Sequence, residues 1–146
     1  MSSIIDKKTI FLDVYFENKT SVLQNIARVA QDEDISTSEM EVLESLESRE
    51  DELSTSVGFE IAIPHCKSDC IKQSKVMIYR LSEYVDWGEG EKVNLVFAIL
   101  TSDKNSEHLS ILSKLSRGLL RKEFLENLKY AGNKDEVYDL LEGLLM

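Results

Sequence analysis

The feature that most constrains the fold of this chain is an almost unbroken apolar run, VNLVFAIL, at residues 93–100. A strand with one solvated face alternates polar and apolar residues, so a run without alternation predicts a central strand that is covered on both faces. The run VMIYRL at 76–81 predicts a second such strand, and WGEGE at 87–91 predicts a turn between the two. The rest of the chain must then supply helices for both faces of the sheet.

Five segments show the spacing of amphipathic helices, in which apolar residues recur every three or four positions. The first segment lies at about 19–32. The second begins at the capping pattern STSE, at 36–39, and ends at Arg49. The other three lie at 107–120, 122–129 and 134–144, and Asn133 caps the last of them. In the second helix, we expect three apolar residues to face inward and four glutamates to face water: Met40, Leu43 and Leu46, and Glu41, Glu44, Glu47 and Glu50.

A β-rich segment at 9–16 predicts a first strand, at an edge of the sheet. Strands interleaved with helices indicate an α/β sandwich, and short spacing between some strands favours a mixed sheet. We therefore expect a mixed, mostly parallel sheet of about five strands, flanked by helices on both faces. At 146 residues the chain suits a single domain, 1–146, that needs no disulfide or metal to fold.

The charge balance narrows the classes of partner. With 17 basic and 27 acidic residues the net charge is −10, which argues against non-specific binding to nucleic acid or to an anionic membrane. No apolar stretch reaches the roughly 18 residues of a membrane span, and the N-terminus lacks a basic flank followed by a long apolar core. The sequence thus predicts a soluble, cytoplasmic protein that neither binds nucleic acid nor inserts into a membrane.

The only proline, Pro64, directly precedes one of only two histidines, His65. Proline fixes its own φ, has no N–H and disfavours helix in the preceding residue, so Ile63-Pro64 should end a strand. We expect His65 to emerge on a constrained turn, where a neutral imidazole held in one direction is a good nucleophile or general base. The alternative is an ordinary turn histidine without chemistry.

Cys66 and Cys70 lie four residues apart beside His65. Zinc usually takes four ligands, whereas this cluster offers three and no second Cys/His pair exists elsewhere. Cys66 as a nucleophile would need an oriented base, and adjacent side chains normally point apart. We favour two reduced thiols of small apolar character, and we expect neither a metal nor a cofactor.

Three residues near the ends of predicted elements form a candidate site: Arg49 at a helix end, His65 at a strand exit, and His108 in the first turn of a helix. If these three side chains converge, their chemistry suits the acceptance and stabilisation of a phosphoryl group. His65 would attack through a neutral ring nitrogen, and His108 and Arg49 would donate charge-assisted hydrogen bonds worth about 1.5–3 kcal/mol each. The alternatives are a surface cation amid acidic residues for Arg49 and a boundary histidine on an apolar stripe for His108.

These residues belong to a larger pattern. Arg49-Glu50, TSVG at 55–58 and IAIPH at 61–65 are similar to the signature of the fructose/mannitol-type enzyme IIA domains of the bacterial phosphoenolpyruvate-dependent sugar phosphotransferase system. The segments VDW at 85–87, VNLVF at 93–97 and EHLSIL at 107–112 resemble later blocks of that family, in order. The resemblance covers essentially the whole chain, and the family's mixed sheet flanked by helices agrees with the fold expected above.

The resemblance implies a phosphoryl relay. His65 matches the histidine that takes the group from the phosphorylated carrier protein HPr and passes it to a IIB protein or domain, while His108 and Arg49 match phosphoryl-stabilising residues. Three alternatives remain: a nitrogen-type IIA regulator, a IIA-like domain from a transcriptional antiterminator or activator, and an interaction domain with a vestigial site. A hydrolase is disfavoured, because no water-activating base is evident.

Two positions depart from the family pattern. Many members have glycine where this chain has Glu60, five residues before His65, and a small residue, often glycine, where it has Cys66. We do not expect either departure to inactivate the site, because His65, His108 and Arg49 are all present. The sugar cannot be inferred, since a IIA domain contacts carrier proteins and never the sugar.

Overall fold

The computed structural model describes residues 4–104 and 107–145. Its elements along the chain are strand β1 (Ile10–Val14), helices α1 (Lys19–Asp32) and α2 (Glu39–Glu52), strands β2 (Ser56–Gly58), β3 (Ile61–Ala62), β4 (His65–Lys67), β5 (Lys75–Asp86) and β6 (Lys92–Thr101), and helices α3 (Glu107–Leu119), α4 (Lys122–Tyr130) and α5 (Lys134–Leu145). The five predicted helices and three predicted long strands are confirmed. None of the described helices combines the length and apolarity needed to cross a membrane.

The described strands form one sheet of order β1-β5-β6-β3-β2, in which β4 also pairs with β6. The pairs β1/β5, β3/β6 and β4/β6 are parallel, whereas β5/β6 and β2/β3 are antiparallel. The expected α/β fold with a mixed, mostly parallel sheet is therefore confirmed, and β1 lies at an edge as expected. The sheet has six strands, close to the expected five. Three of them, β2, β3 and β4, span only two or three residues each.

The central strand β6 faces two cores, as its unbroken apolar run predicts. Val96, Ala98 and Leu100 belong to the core formed with α1 and α2. Leu95, Phe97 and Ile99 belong to the core formed with α3, α4 and α5. Alternate residues of a strand point to opposite faces, so one apolar segment holds both helical layers against the sheet.

Helix α2 differs from its prediction in its cap and in its buried face. The side chain of Ser38 accepts a hydrogen bond from the Glu41 N–H at 3.1 Å and caps the helix, whereas Ser36 pairs with Ile71 in an isolated bridge. Met40, expected to face inward, is 70% exposed. The buried apolar residues of this helix are Val42 and Leu46, four positions apart on one face.

Pro64 interrupts the strand ladder without turning the chain. Strand β3 ends at Ala62 as predicted, but β4 resumes at His65 with the same register: Ile61 lies opposite Leu95, and His65 opposite Ile99. Between them, the Ile63 N–H donates to the Thr55 carbonyl at 2.9 Å, and the Pro64 carbonyl accepts from the Ile99 N–H at 3.0 Å. The expectation that His65 lies on a turn is therefore wrong, because the proline carbonyl keeps the chain paired to β6.

Candidate functional site

His65 lies at the start of β4, and two hydrogen bonds fix the orientation of its ring. Its Nδ1 lies 3.0 Å from the carbonyl oxygen of Ile63, and its Nε2 lies 2.8 Å from Nε of Arg49. A carbonyl oxygen only accepts a hydrogen bond and a guanidinium only donates one. Nδ1 therefore carries the ring proton, and Nε2 presents a lone pair, which is the state in which an imidazole nitrogen can act as a nucleophile.

Arg49 lies in the last turn of α2, where the negative end of the helix dipole favours a cation. Its Nη1 donates to the Leu53 carbonyl at 2.6 Å, while its Nε donates to His65. The guanidinium is thus held at the helix C-terminus and placed against Nε2 of His65. A group that bonds to Nε2 must displace this hydrogen bond, which leaves Arg49 beside the new group.

His108 lies in the first turn of α3, and its ring centroid is 4.7 Å from that of His65, with the ring planes inclined by 53°. Its Nδ1 is buried and has no hydrogen-bond partner among the described residues. An imidazole N–H is a hydrogen-bond donor, and the short distance between the rings puts His108 beside any group bonded to His65. The structure therefore brings together all three residues of the predicted site, from α2, β4 and α3.

The electrostatics of the site favour neutral imidazoles. Burial is the main effect on His65 and lowers its pKa. The hydrogen bond to the Ile63 carbonyl opposes this, the charge of Arg49 lowers the pKa further, and Glu50 opposes it least. Burial also lowers the pKa of His108, with added contributions from His65, Lys67 and Arg49. At neutral pH, both rings are therefore uncharged, as a nucleophilic histidine requires.

Lys67 is a basic residue of this site that the sequence analysis missed. It is exposed, lies two residues after His65 on β4, and its charge acts on His108. Residues i and i+2 of a strand share a face. The signal was therefore present in the sequence, but it depended on placing residues 65–67 on a strand instead of a turn.

Glu50 was expected to face water, and this expectation is wrong. Its side chain is only 5% exposed, and one carboxylate oxygen accepts from Lys19 Nζ at 2.8 Å and from the Thr55 N–H at 3.1 Å. The other oxygen accepts from the Thr55 hydroxyl, which itself accepts from Trp87 Nε1–H at 3.1 Å. The start of α1 and the β5–β6 turn cover this end of α2, which helical periodicity alone does not reveal.

The two cysteines take no part in the site. Both are free and lie in the core under α1 and α2. Cys66 follows His65 on β4, so its side chain points to the opposite face of the sheet. Burial raises the pKa of the Cys66 thiol to about 11. The structure therefore does not bring Cys66 and His65 together as metal ligands or as a nucleophile and base.

Glu60 lies in the turn between β2 and β3, away from the contacts that define the site. Phe59 and Glu60 have φ of +57° and +68°, in the left-handed region that favours glycine. The Glu60 carboxylate lies 3.6 Å from Lys129 Nζ, and its interaction with the Tyr84 hydroxyl raises the pKa of that group. A glycine at position 60 would therefore satisfy the backbone conformation of this turn, and none of the contacts described for Glu60 involves His65.

Residues 3–143 match the sequence profile of the family described as phosphoenolpyruvate-dependent sugar phosphotransferase system, EIIA 2. The PTS system fructose-like EIIA component of Escherichia coli (strain K12) is 32% identical over 139 residues, which cover 93% of this chain and 93% of that protein. A multiphosphoryl transfer protein of Escherichia coli O157:H7 is 32% identical over 137 residues. That match covers 92% of this chain but only 16% of the longer relative.

Solved structures show the same fold. The nitrogen regulatory protein IIA-Ntr from Neisseria meningitidis superposes with a TM-score of 0.86 at 30% identity, covering 94% of this chain and 96% of that one. The mannitol enzyme IIA in its complex with phosphorylated enzyme IIB from Escherichia coli superposes with a TM-score of 0.80 at 24% identity. The superposition covers 93% of this chain and 95% of that one.

Proposed function

Because the chain belongs to the EIIA 2 family of the phosphoenolpyruvate-dependent sugar phosphotransferase system, we propose that it is a cytoplasmic phosphoryl carrier whose acceptor is Nε2 of His65. Phosphorylated HPr is the donor, and a IIB component of a sugar transporter is the next acceptor. The observation that carries this proposal is the pair of hydrogen bonds that place the ring proton on Nδ1 and leave a lone pair on Nε2.

The transfer step follows from this protonation state. The Nε2 lone pair forms a bond to phosphorus while the bond from phosphorus to the donor breaks, and the donor keeps that electron pair. No proton has to leave His65, because its only ring proton stays on Nδ1, bonded to the Ile63 carbonyl. Transfer to the next acceptor is the same step in reverse, with that acceptor's nucleophile attacking the phosphorus.

Arg49, His108 and Lys67 stabilise the bound group. A phosphoryl group brings about two negative charges at neutral pH. Arg49 already contacts Nε2, and the ring of His108 lies 4.7 Å from that of His65, measured between centroids. Charge-assisted hydrogen bonds of this kind are worth about 1.5–3 kcal/mol each. These donors neutralise the group without a cofactor, so the carrier needs no metal.

The surroundings of the site suit a protein partner. Leu53, whose carbonyl binds Arg49, is 70% exposed, and Leu109, next to His108, is 68% exposed. Exposed apolar residues around a small charged centre are typical of a docking surface. The likeness to a IIA in complex with a phosphorylated IIB supports an acceptor of that class.

The test is to incubate the purified chain with phosphoenolpyruvate, enzyme I and HPr, and to measure its intact mass and the acid lability of any added group. We expect one acid-labile phosphoryl group on the wild-type chain and none on a His65→Ala control. No gain of mass while HPr is shown to be phosphorylated would contradict the proposal, as would an unchanged gain in the control.

A second candidate, a regulator of the nitrogen type, is favoured by the likeness to IIA-Ntr at 30% identity over 94% of the chain. The first transfer step would be the same, and only the use of the group would differ. Addition of fructose-type and mannitol-type IIB proteins to the phosphorylated chain separates the two. Loss of the group to a IIB indicates transport, whereas retention with every IIB indicates regulation.

A further inference from the structure

We propose that four residues behind the site, Lys19, Glu50, Thr55 and Trp87, form a positioning network that sets the orientation of the His65 ring and of Arg49. They are called the Glu50 network below. Their proposed effect on phosphoryl transfer rests on the function proposed above, whereas their effect on the ring itself does not. Neither the charge pattern nor the helical periodicity of the sequence singled them out as a group.

The first link runs from Thr55 to the protonated nitrogen of His65. The Thr55 carbonyl accepts the Ile63 N–H at 2.9 Å, and the Ile63 carbonyl accepts the His65 Nδ1–H at 3.0 Å. The residue after Ile63, Pro64, has no N–H and so donates no further backbone hydrogen bond that could hold this segment. A displacement of Thr55 therefore moves the acceptor that fixes the ring proton.

The second link runs from Glu50 to the nucleophilic nitrogen. Glu50 and Arg49 are neighbours in the last turn of α2. The Glu50 carboxylate accepts both the N–H and the hydroxyl of Thr55, and so holds this turn against the chain that leads into β2. Ile63 contacts one ring nitrogen of His65, and Arg49 contacts the other. Both of these residues are therefore linked to the same Glu50–Thr55 pair.

Three of the four side chains in the network are buried, and each of the four has a hydrogen-bond partner; the Glu50 side chain is 5% exposed, and that of Lys19 is 25% exposed. Thr55 is 4% exposed and Trp87 is fully buried. The Thr55 hydroxyl donates to Glu50 and accepts from Trp87, so both of its roles are used. Lys19 compensates the carboxylate at 2.8 Å and also donates to the Trp87 carbonyl at 3.2 Å. Buried polar networks with every member paired specify one arrangement, whereas a missing member leaves costly unpaired groups.

Thr55→Val is the variant that tests this inference, because valine has nearly the shape of threonine and lacks only the hydroxyl. Thr55→Ser keeps the hydroxyl and serves as the rescue. Thr9→Val is the matched control: the Thr9 hydroxyl is also buried and hydrogen-bonded, to the carbonyls of Asp6 and Val76, on the β1 side of the sheet. Thermal unfolding of each protein identifies the conditions under which it is folded.

Two measurements are made on the folded variants. The ¹⁵N resonances of the His65 imidazole report which nitrogen is protonated and the pH at which the ring titrates, without any activity. The single-turnover rate with phosphorylated HPr reports transfer. In Thr55→Val we expect loss of the strict preference for the proton on Nδ1, a shifted titration, and a rate about 10- to 100-fold lower. Thr55→Ser and Thr9→Val should keep the wild-type resonances and rate.

A folded Thr55→Val protein with wild-type His65 resonances and rate would overturn the inference and leave Thr55 with a structural role only. If Thr55→Val does not fold, Trp87→Phe replaces it, since that change removes the donor to the Thr55 hydroxyl, together with one ring of a fully buried side chain, so its folding is checked first. Unchanged His65 resonances in folded Trp87→Phe would then overturn the inference. A wild-type chain that accepts no phosphoryl group would contradict the proposed function. The His65 resonances would still show whether the Glu50 network orients the ring.

Discussion

At position 60, glycine should stabilise the fold more than alanine does, the reverse of their order in ordinary helices and strands. Glu60 has a φ of +68°, and an L-residue with a side chain pays roughly 1–2 kcal/mol for the left-handed conformation. Glycine does not pay this cost, but it loses about 0.5–1 kcal/mol more backbone entropy than alanine on folding. The difference leaves Glu60→Gly more stable than Glu60→Ala by about 1 kcal/mol.

Comparison of these two variants removes the side-chain contacts from the calculation. Both changes delete the ion pair between Glu60 and Lys129. The charged atoms of this pair are 3.6 Å apart, and the side chains of Lys129 and Glu60 are 34% and 41% exposed. Such a surface pair is worth about 0–1 kcal/mol. Relative to the wild type, Glu60→Ala should therefore be slightly destabilised, and Glu60→Gly should be close to neutral.

The assay is urea denaturation of the two variants, with the same pair of changes at Glu47 as a control. Glu47 is exposed within α2, where alanine should exceed glycine by about 1 kcal/mol. The sign of the alanine–glycine difference should thus reverse between positions 47 and 60. Glu60→Ala that is as stable as Glu60→Gly would refute the strain argument. Neither change at Glu60 should alter phosphorylation of His65, because Glu60 takes no part in the site contacts.

Three further predictions concern the site and its surroundings. Burial lowers the pKa of both histidines in the folded chain. As the pH falls past the ordinary histidine pKa of 6.5, the unfolded chain therefore binds more protons than the folded chain does. The free energy of unfolding should therefore fall from about pH 7 to about pH 5.5, less so in His65→Asn; an equal fall in that variant would contradict this cause. His108→Ala should still accept one group on His65, but about 10- to 100-fold more slowly in single-turnover assays, since one charge-assisted hydrogen bond is lost; a wild-type rate would exclude His108 as a stabiliser. Cys66, with a pKa of about 11, should react with a thiol reagent at neutral pH only after denaturation in urea, and rapid reaction in the native state would refute its burial.

Much of the fold followed from the sequence because its signals were long and local. The unbroken run at 93–100 predicted a strand that faces two cores, and β6 has this environment. The cap at Asn133 was predicted for α5, and its side chain accepts from the Glu136 N–H at 3.0 Å. Strands of two or three residues carry too little periodicity to be recognised, as β2 and β4 show; β3 was expected only because a proline follows its apolar run.

The convergence of Arg49, His65 and His108 was a hypothesis from the sequence, and the structure places the three together. Lys67 and Glu50 were missed for the same physical reason: their roles depend on tertiary neighbours. Lys67 requires that the chain remain a strand after Pro64, which the pairing of the Pro64 carbonyl with Ile99 permits. Glu50 is buried because α1 and the β5–β6 turn meet over the end of α2, and no local pattern encodes that meeting.

The central claim is that Nε2 of His65 carries the phosphoryl group while Nδ1 keeps its proton. The most direct test is nuclear magnetic resonance of the chain labelled with ¹⁵N-histidine, recorded after phosphorylation by phosphoenolpyruvate, enzyme I and HPr. The account predicts phosphorus coupling to Nε2 of His65, and an Nδ1–H that still donates to the Ile63 carbonyl. Phosphorus bonded to Nδ1 of His65, or to either nitrogen of His108, would contradict it.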